Sequence, residues 1–354
     1  MTGARDLTGV PDLPGVLPGR RVRAAAAAIA AVQEPSGAIP WFPGGQVDVW
    51  DHVECAMALL VGGEAEAADR AYRWLFATQR DDGSWPLAIR AGAVTDPGAD
   101  TNMCAYVAVG VWHHWLVRRD AEFLQVAWPA VRRALDFVVG HQLPFGGIDW
   151  AVDERGGTFG AALVTGSSSI RHALGCGLLL ADLLHEPRPG WELALDRLDR
   201  ALAEHEDRFD PRPHHAMDWY YPVLAGAVRG AAAEARIADR WDQFVVPGLG
   251  VRCVDNRPWV TGAETCELAI ALTRIGRRDA AVRLLADMQH LGDPDGSFWT
   301  GYVFIDRARW PEERSTWTAA AVVLAADVLT RTTAGADVFG RSADRVARVP
   351  VHPG

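Results

Sequence analysis

The chain repeats one unit: an apolar helix, a short break, an amphipathic helix, and a loop containing glycine and tryptophan. The first clear copy reads as a helix over 50–61, a break at Gly62 and Gly63, a second helix over 65–79 and the loop RDDGSWP. A second copy starts at Asp100 with TNMCAYVAVGVWHHWLV, breaks at Arg118, Arg119 and Asp120, and resumes over 129–142 before PFGGIDW. The third covers 165–184 and 191–206, and the fourth starts at Met217 with DWYYPVLAGAV and runs less regularly to Gly250. The fifth pairs 263–276 with 279–291 and ends in DPDGSFWTGY. The sixth has a first helix at 315–329, and the N-terminal helix at 21–33, followed by SGAIPW, supplies its partner.

Apolar spacing is helical throughout, and the unit recurs at roughly 50–60 residues. One helical hairpin cannot bury both faces, so the copies must close on each other. The expected fold is an all-α (α/α)6 barrel over 20–334, a single domain. The Ala/Gly-rich first helices form its inner ring and the Arg/Glu-rich second helices its outer ring. Segments 1–19 and 335–354, rich in Gly, Pro and Arg, read as flexible tails.

Composition narrows the chemistry. The net charge is −10 and no Arg cluster makes a basic stripe, which argues against nucleic acid as a partner. The 354 residues include no lysine, which removes Schiff-base chemistry and a phosphate-cradling P-loop. Cys55, Cys104, Cys176, Cys253 and Cys266 are scattered without a CxxC pair and read as free thiols. The alanine-rich run 24–32 is too short to span a bilayer, and no secretory signal precedes it, so a cytoplasmic location is expected. The 15 tryptophans are unusually many; indoles fill cores but also line sugar subsites and carbocation pockets.

Two family resemblances follow. The loops QRDDGSW (79–85) and QHLGDPDGSFW (289–299) look like the QW motif of terpenoid cyclases and prenyltransferase-like α/α toroids. DVWDHVECAMALL (48–60) is similar to the segment that carries the DxDD acid of class II terpenoid cyclases, with Trp50 at the position of the acid and Asp48 and Asp51 flanking it. The segment 100–142 resembles a hairpin of six-hairpin, glucoamylase-like glycosidases, which place carboxylates and tryptophans at the rim of a central cleft.

In such a barrel, polar residues at inner-helix starts face the cleft. Asp51, His52 and Glu54 beside Trp50 exceed what helix capping needs. Asp100 and Asn102 open the second inner helix and the serines 167–169 the third. Asp218 with Trp219, Tyr220 and Tyr221 suits a sugar subsite. Glu264 starts the fifth inner helix, with Glu267 one turn on along the same face. Trp299 and Trp317 are further candidate cleft walls. Histidines 113, 114, 141, 214 and 215 lack metal-ligand spacing with carboxylates, so neither a metal nor another cofactor is expected.

The expectation is a glycan-active enzyme of glycoside hydrolase type. Asp51, Glu54, Asp218 and Glu264 are its candidate acids and bases, with Glu264 paired to Asp51 or Asp218. Trp50, His52, Asp100, Asn102, Trp219, Tyr220, Tyr221, Trp299 and Trp317 would bind a small-molecule or oligosaccharide substrate. The alternatives are a cyclase or prenyltransferase-like enzyme acting on an isoprenoid, and a non-catalytic carbohydrate-binding barrel.

Overall fold

A computed structural model describes residues 9–340. In chain order its helices are α1 (Gly19–Val32), α2 (Val49–Gly62), α3 (Ala65–Ala77), α4 (Thr101–Ala105), α5 (Val107–Arg118), α6 (Ala121–Gly140) and α7 (Val164–Leu183). They continue with α8 (Pro189–Glu204), α9 (Ala216–Leu224), α10 (Gly230–Asp239), α11 (Trp241–Phe244), α12 (Gly262–Arg274), α13 (Arg278–Asp287) and α14 (Thr316–Thr330).

The inner ring runs α2, α5, α7, α9, α12 and α14, each packed on the next, and α14 closes on α2. The outer ring is α1, α3, α6, α8, α10 and α13. This is the (α/α)6 barrel expected from the repeat. Composition explains which ring each helix joins. Every residue of α2 is buried, its last two turns apolar all round and its first two carrying Asp51, His52 and Glu54, whereas α3 buries only the stripe Ala67, Ala68, Ala71, Tyr72, Trp74 and Leu75. Asp48 and Ser315 cap α2 and α14, accepting the N–H groups of Asp51 at 2.9 Å and Thr318 at 3.0 Å.

A repeated joint ties the outer helices together. The Gln33 amide donates to Gly37 O at 3.0 Å and to Ala67 O, on the next outer helix, at 2.9 Å. Gln79 does the same to Gly83 O and Ala130 O, and Gln142 to Gly146 O and Ala194 O, all at 2.9 Å. The glycine at each joint has positive φ, and a Cβ there would sit 2.4 Å from Arg70 O, 2.2 Å from Arg133 O and 2.4 Å from Arg197 O respectively. Only glycine permits both the φ and the approach. The QW-like loop after Gln79 is thus a helix clasp, and Trp85 within it is buried with its indole N–H on Leu75 O at 2.9 Å.

Short strands, unforeseen in the sequence, stiffen the loops that lead into inner helices. β1 (Ala88–Arg90) pairs with β2 (Ala93–Asp96), and β3 (Ala99–Asp100) with β4 (Ala151–Val152). An antiparallel sheet orders β5 (Val245–Val246), β6 (Gly250–Arg252), β7 (Trp259–Thr261), β8 (Gly301–Val303) and β9 (Ala308–Arg309), and β7 runs straight into α12.

The folded part reaches further than the tail boundaries expected at 19 and 335. Leu17 is fully buried, and a 3-10 turn over Ala334–Phe339 packs on α5 and α14. Arg274 donates to Phe339 O at 2.6 Å, and His172 Nε2 bonds Val338 O at 2.9 Å, so apolar side chains and these bonds hold the segment against the end of the ring away from the strands. The remainder of both expected tails, 1–8 and 341–354, lies outside the described residues. No helix among the described residues is long and apolar enough to cross a membrane.

Candidate active site

Buried polar atoms are nearly always hydrogen-bonded in folded proteins, so an exception needs a reason. Here several gather on the first two turns of inner-ring segments or just before them. Asn102 Oδ1 on α4, the Ser168 hydroxyl on α7, Thr261 Oγ1 on β7 and Glu264 Oε2 on α12 are buried without a hydrogen-bond partner, the buried Asp51 carboxyl on α2 lies against that of Asp48, and Tyr221 OH on α9 lies beside the Ser169 hydroxyl. Acceptors and hydroxyls from five inner segments and one strand at one end of the ring form a surface prepared for a hydroxyl-bearing ligand.

Carboxylates dominate it, in two tiers. Asp51 and Glu264 form the upper tier, in the first turns of α2 and α12. Glu54 and Glu267 lie three residues on, one turn deeper. Glu54 accepts Trp50 Nε1–H at 3.0 Å, Tyr106 OH at 2.8 Å and Trp317 Nε1–H at 2.8 Å. Glu267 accepts the Tyr220 hydroxyl. Burial pushes the Asp51 carboxyl well above the usual range, and its acidic neighbours, Asp48 first and then Glu54 and Glu267, raise it further. Glu267 is also held well above its ordinary value by burial and then by Glu54. Burial raises Glu54 as well, against the opposing pull of its three donors.

Aromatic rings enclose these groups. Trp50 stacks on Tyr106 at 5.0 Å and meets Tyr221 edge-on at 5.6 Å. Half-buried Trp317 stacks on Trp41 at 6.1 Å, and the Trp41 indole donates to Asp48 Oδ2 at 2.8 Å. Asp100, the cap of α4, is half-buried at the same end, and burial raises its carboxyl to about 6.

Five expected site residues have other duties. His52 points outward between the rings, accepting Ile39 N–H at 3.2 Å and donating to Ala71 O at 2.9 Å; the i+1 step from Asp51 turns it away from the ring centre. Trp219 is buried against Phe244, with its N–H on Arg236 O at 2.7 Å, so it packs α9 onto α10 and α11. Trp299 packs against the Arg309 and Arg314 guanidiniums, and its indole donates to Asp293, which both arginines also bond, at 3.0 Å, so it is tied into an ion-pair cluster. Asp218 accepts the Thr165 N–H at 3.2 Å and the Thr165 hydroxyl, and lines a separate cavity of about 290 Å3 with Arg236 and Arg240. Tyr220 is fully buried and acts through Glu267 rather than on a ligand.

Residues beyond the expected catalytic and binding set also build the site. Glu267 was legible in its three-residue offset from Glu264, and Ser168 and Ser169 in their place at a helix start. Tyr106, inside an apolar run, gave no signal.

No protein-family model matches the sequence. Over 334 residues, covering 94% of this chain and 93% of the relative, it is 56% identical to the MMP endo-(1,4)-3-O-methyl-α-D-mannosidase of Mycolicibacterium hassiacum. The chain belongs to this mannosidase's family. Members are glycan-active enzymes of glycoside hydrolase type, and the fold agrees. A glycosidase in complex with glucose superposes with a TM-score of 0.71 at 17% identity, covering 88% of this chain and 96% of that one. A D-mannose isomerase gives 0.65 at 9% identity over 87% and 96% of the two chains. The family therefore follows the glycosidase resemblance, and the terpenoid cyclase resemblance gains nothing from these relatives.

Proposed function

We propose that this protein hydrolyses internal α-1,4 bonds of an oligosaccharide of 3-O-methylmannose, with Asp51 as general acid and Glu264 as the second carboxylate. The observation that carries the reading is the pair of buried carboxyl groups, Asp51 and Glu264, in the first turns of α2 and α12 in a member of a mannosidase family.

Asp51 is suited to donate a proton because burial and neighbouring anions hold its carboxyl un-ionised to higher pH. Its proton passes to the glycosidic oxygen as the bond from that oxygen to the anomeric carbon breaks. Glu264 receives the proton of the attacking water as its oxygen bonds to that carbon. Asn102, Ser168, Ser169 and Tyr221 offer hydrogen bonds to sugar hydroxyls, and half-buried Trp317 offers an apolar face.

The rim suits a methyl ether. Val94 on β2, Phe159 before α7, and Ile305 and Trp310 around β9 are all more than half exposed on loops that lead into inner helices. Such apolar tips would cover O-methyl groups, which add surface that water solvates poorly.

The test is turnover of a 3-O-methylmannose oligosaccharide by Asp51→Asn and Glu264→Gln. Each should lose roughly 10³-fold in kcat with unchanged thermal unfolding. Near-normal turnover in either variant would refute its assignment.

A further inference from the structure

The deeper carboxylates take no part in that bond-breaking step, yet they are enclosed together. Glu54 and Glu267 face a cavity of about 10 Å3, walled also by Tyr106, Tyr221, Ile270 and Phe339. That is room for about one water molecule. Two carboxylates in so dry a space do not both ionise. Their partners distinguish them. Glu54 receives three donors over its two oxygens, a shell that suits the ionised form. Glu267 receives one, from Tyr220, which leaves its second oxygen able to carry a hydrogen.

We infer that Glu54 holds the negative charge of this pair and Glu267 its proton, and that Glu54 is a positioning residue whose charge keeps the Asp51 carboxyl un-ionised. The inference rests on Asp51 being the proton donor of the proposed reaction. The groups around the pair fit it. Asp48 caps α2, Asp100 caps α4, and Tyr106, Tyr220, Tyr221, Glu264 and Trp317 face it from the neighbouring segments. All of these are acids or neutral donors, so Asp51 sits in a net negative field. Glu54 lies one turn from Asp51 on the same face of α2, and the Asp51 carboxyl is raised first by burial, then by its cap neighbour Asp48 and after it by Glu54.

The test is the pH profile of kcat/KM for the full chain and three variants. Activity should fall on the alkaline side as Asp51 ionises. Glu54→Gln should move that limb to lower pH by roughly one unit, because a nearby negative charge is lost. Glu267→Gln should leave the limb in place, since an amide mimics a protonated carboxyl. Glu54→Asp, which keeps the charge, should hold the limb near its wild-type position even where kcat drops. An unmoved limb in folded Glu54→Gln, or a shift in Glu267→Gln instead, would overturn the inference. If Glu54→Gln does not fold or turn over, infrared spectra of Glu267→Gln decide. The un-ionised carboxyl band at neutral pH should weaken, and an unchanged band overturns the assignment. Loss of the proposed function would look different: Asp51→Asn would remain active whatever the Glu54 variants did.

Discussion

Trp317 Nε1 lies 2.8 Å from Glu54 Oε2, although 263 positions separate them in the chain. The bond joins the last inner helix to the first, so the packed seam that closes the ring also supplies one of the three donors to the carboxylate beneath the site. Trp317→Phe keeps a ring against Trp41 and removes the donor. It should cost about 1–3 kcal/mol, read from denaturant unfolding, because a buried carboxylate loses a partner. Turnover should fall with it.

Acid sensitivity should trace to histidines outside the site. Burial lowers His113 to about 3, and His52 and His172 to about 4. The unfolded chain binds protons near pH 6.5 and the folded one only below these values. Stability therefore rises with pH from about 4 to 6.5 and is lost on acidification through that window. Asp100 and Asp327, each raised to about 6, act the opposite way, losing stability as pH rises from 3.8 to 6. Neither His113 ring nitrogen has a protein hydrogen-bond partner, so His113→Leu sacrifices no bond. Its melting temperature should equal or exceed wild type at pH 7 and fall less between pH 6.5 and 4.5.

The outer-ring joints make a sharper stability prediction. A Cβ on Gly83 would meet Arg133 O at 2.2 Å, with φ at +93°. Gly83→Ala should cost about 1–3 kcal/mol through strain and displacement of that helix, whereas Gly63→Ala, with open space around it, should cost about 1 kcal/mol from backbone conformation alone. Urea unfolding of the two variants separates close approach from φ.

Rim recognition of methyl groups should appear in KM. Trp310→Ser removes an exposed ring from the loop leading to α14. It should raise KM for a methylated oligosaccharide several-fold while kcat changes little, the pattern of binding lost equally in ground and transition states. An unmethylated analogue should show a smaller change.

Much of the fold was legible because a ring of hairpins writes its period into the sequence. Apolar runs marked inner helices, and the loops containing glycine and tryptophan marked the ends of outer helices; the Gln-x-x-x-Gly spacing at 33–37, 79–83 and 142–146 gained its meaning only from the joints in the structure. Asp51, Glu54 and Glu264 were visible as acids at inner-helix starts. His52 was not separable from them, since one residue of helix rotation decides which ring it faces. Trp219 and Trp299 illustrate the same limit: an aromatic near a helix start reads as subsite or packing until its neighbours are known. Asp218 stood at an inner-helix start as expected, and its hydrogen bonds to Thr165, far away in sequence, assigned it elsewhere.

The 3-10 turn at Ala334–Phe339 gives the ring a floor, with Phe339 reaching the cavity under Glu54 and Glu267. Among the described residues the barrel therefore has a mouth at one end and no tunnel through to the other. Under the proposed function, a glycan would be laid across that mouth and released by backing away, not reeled through the barrel one unit at a time.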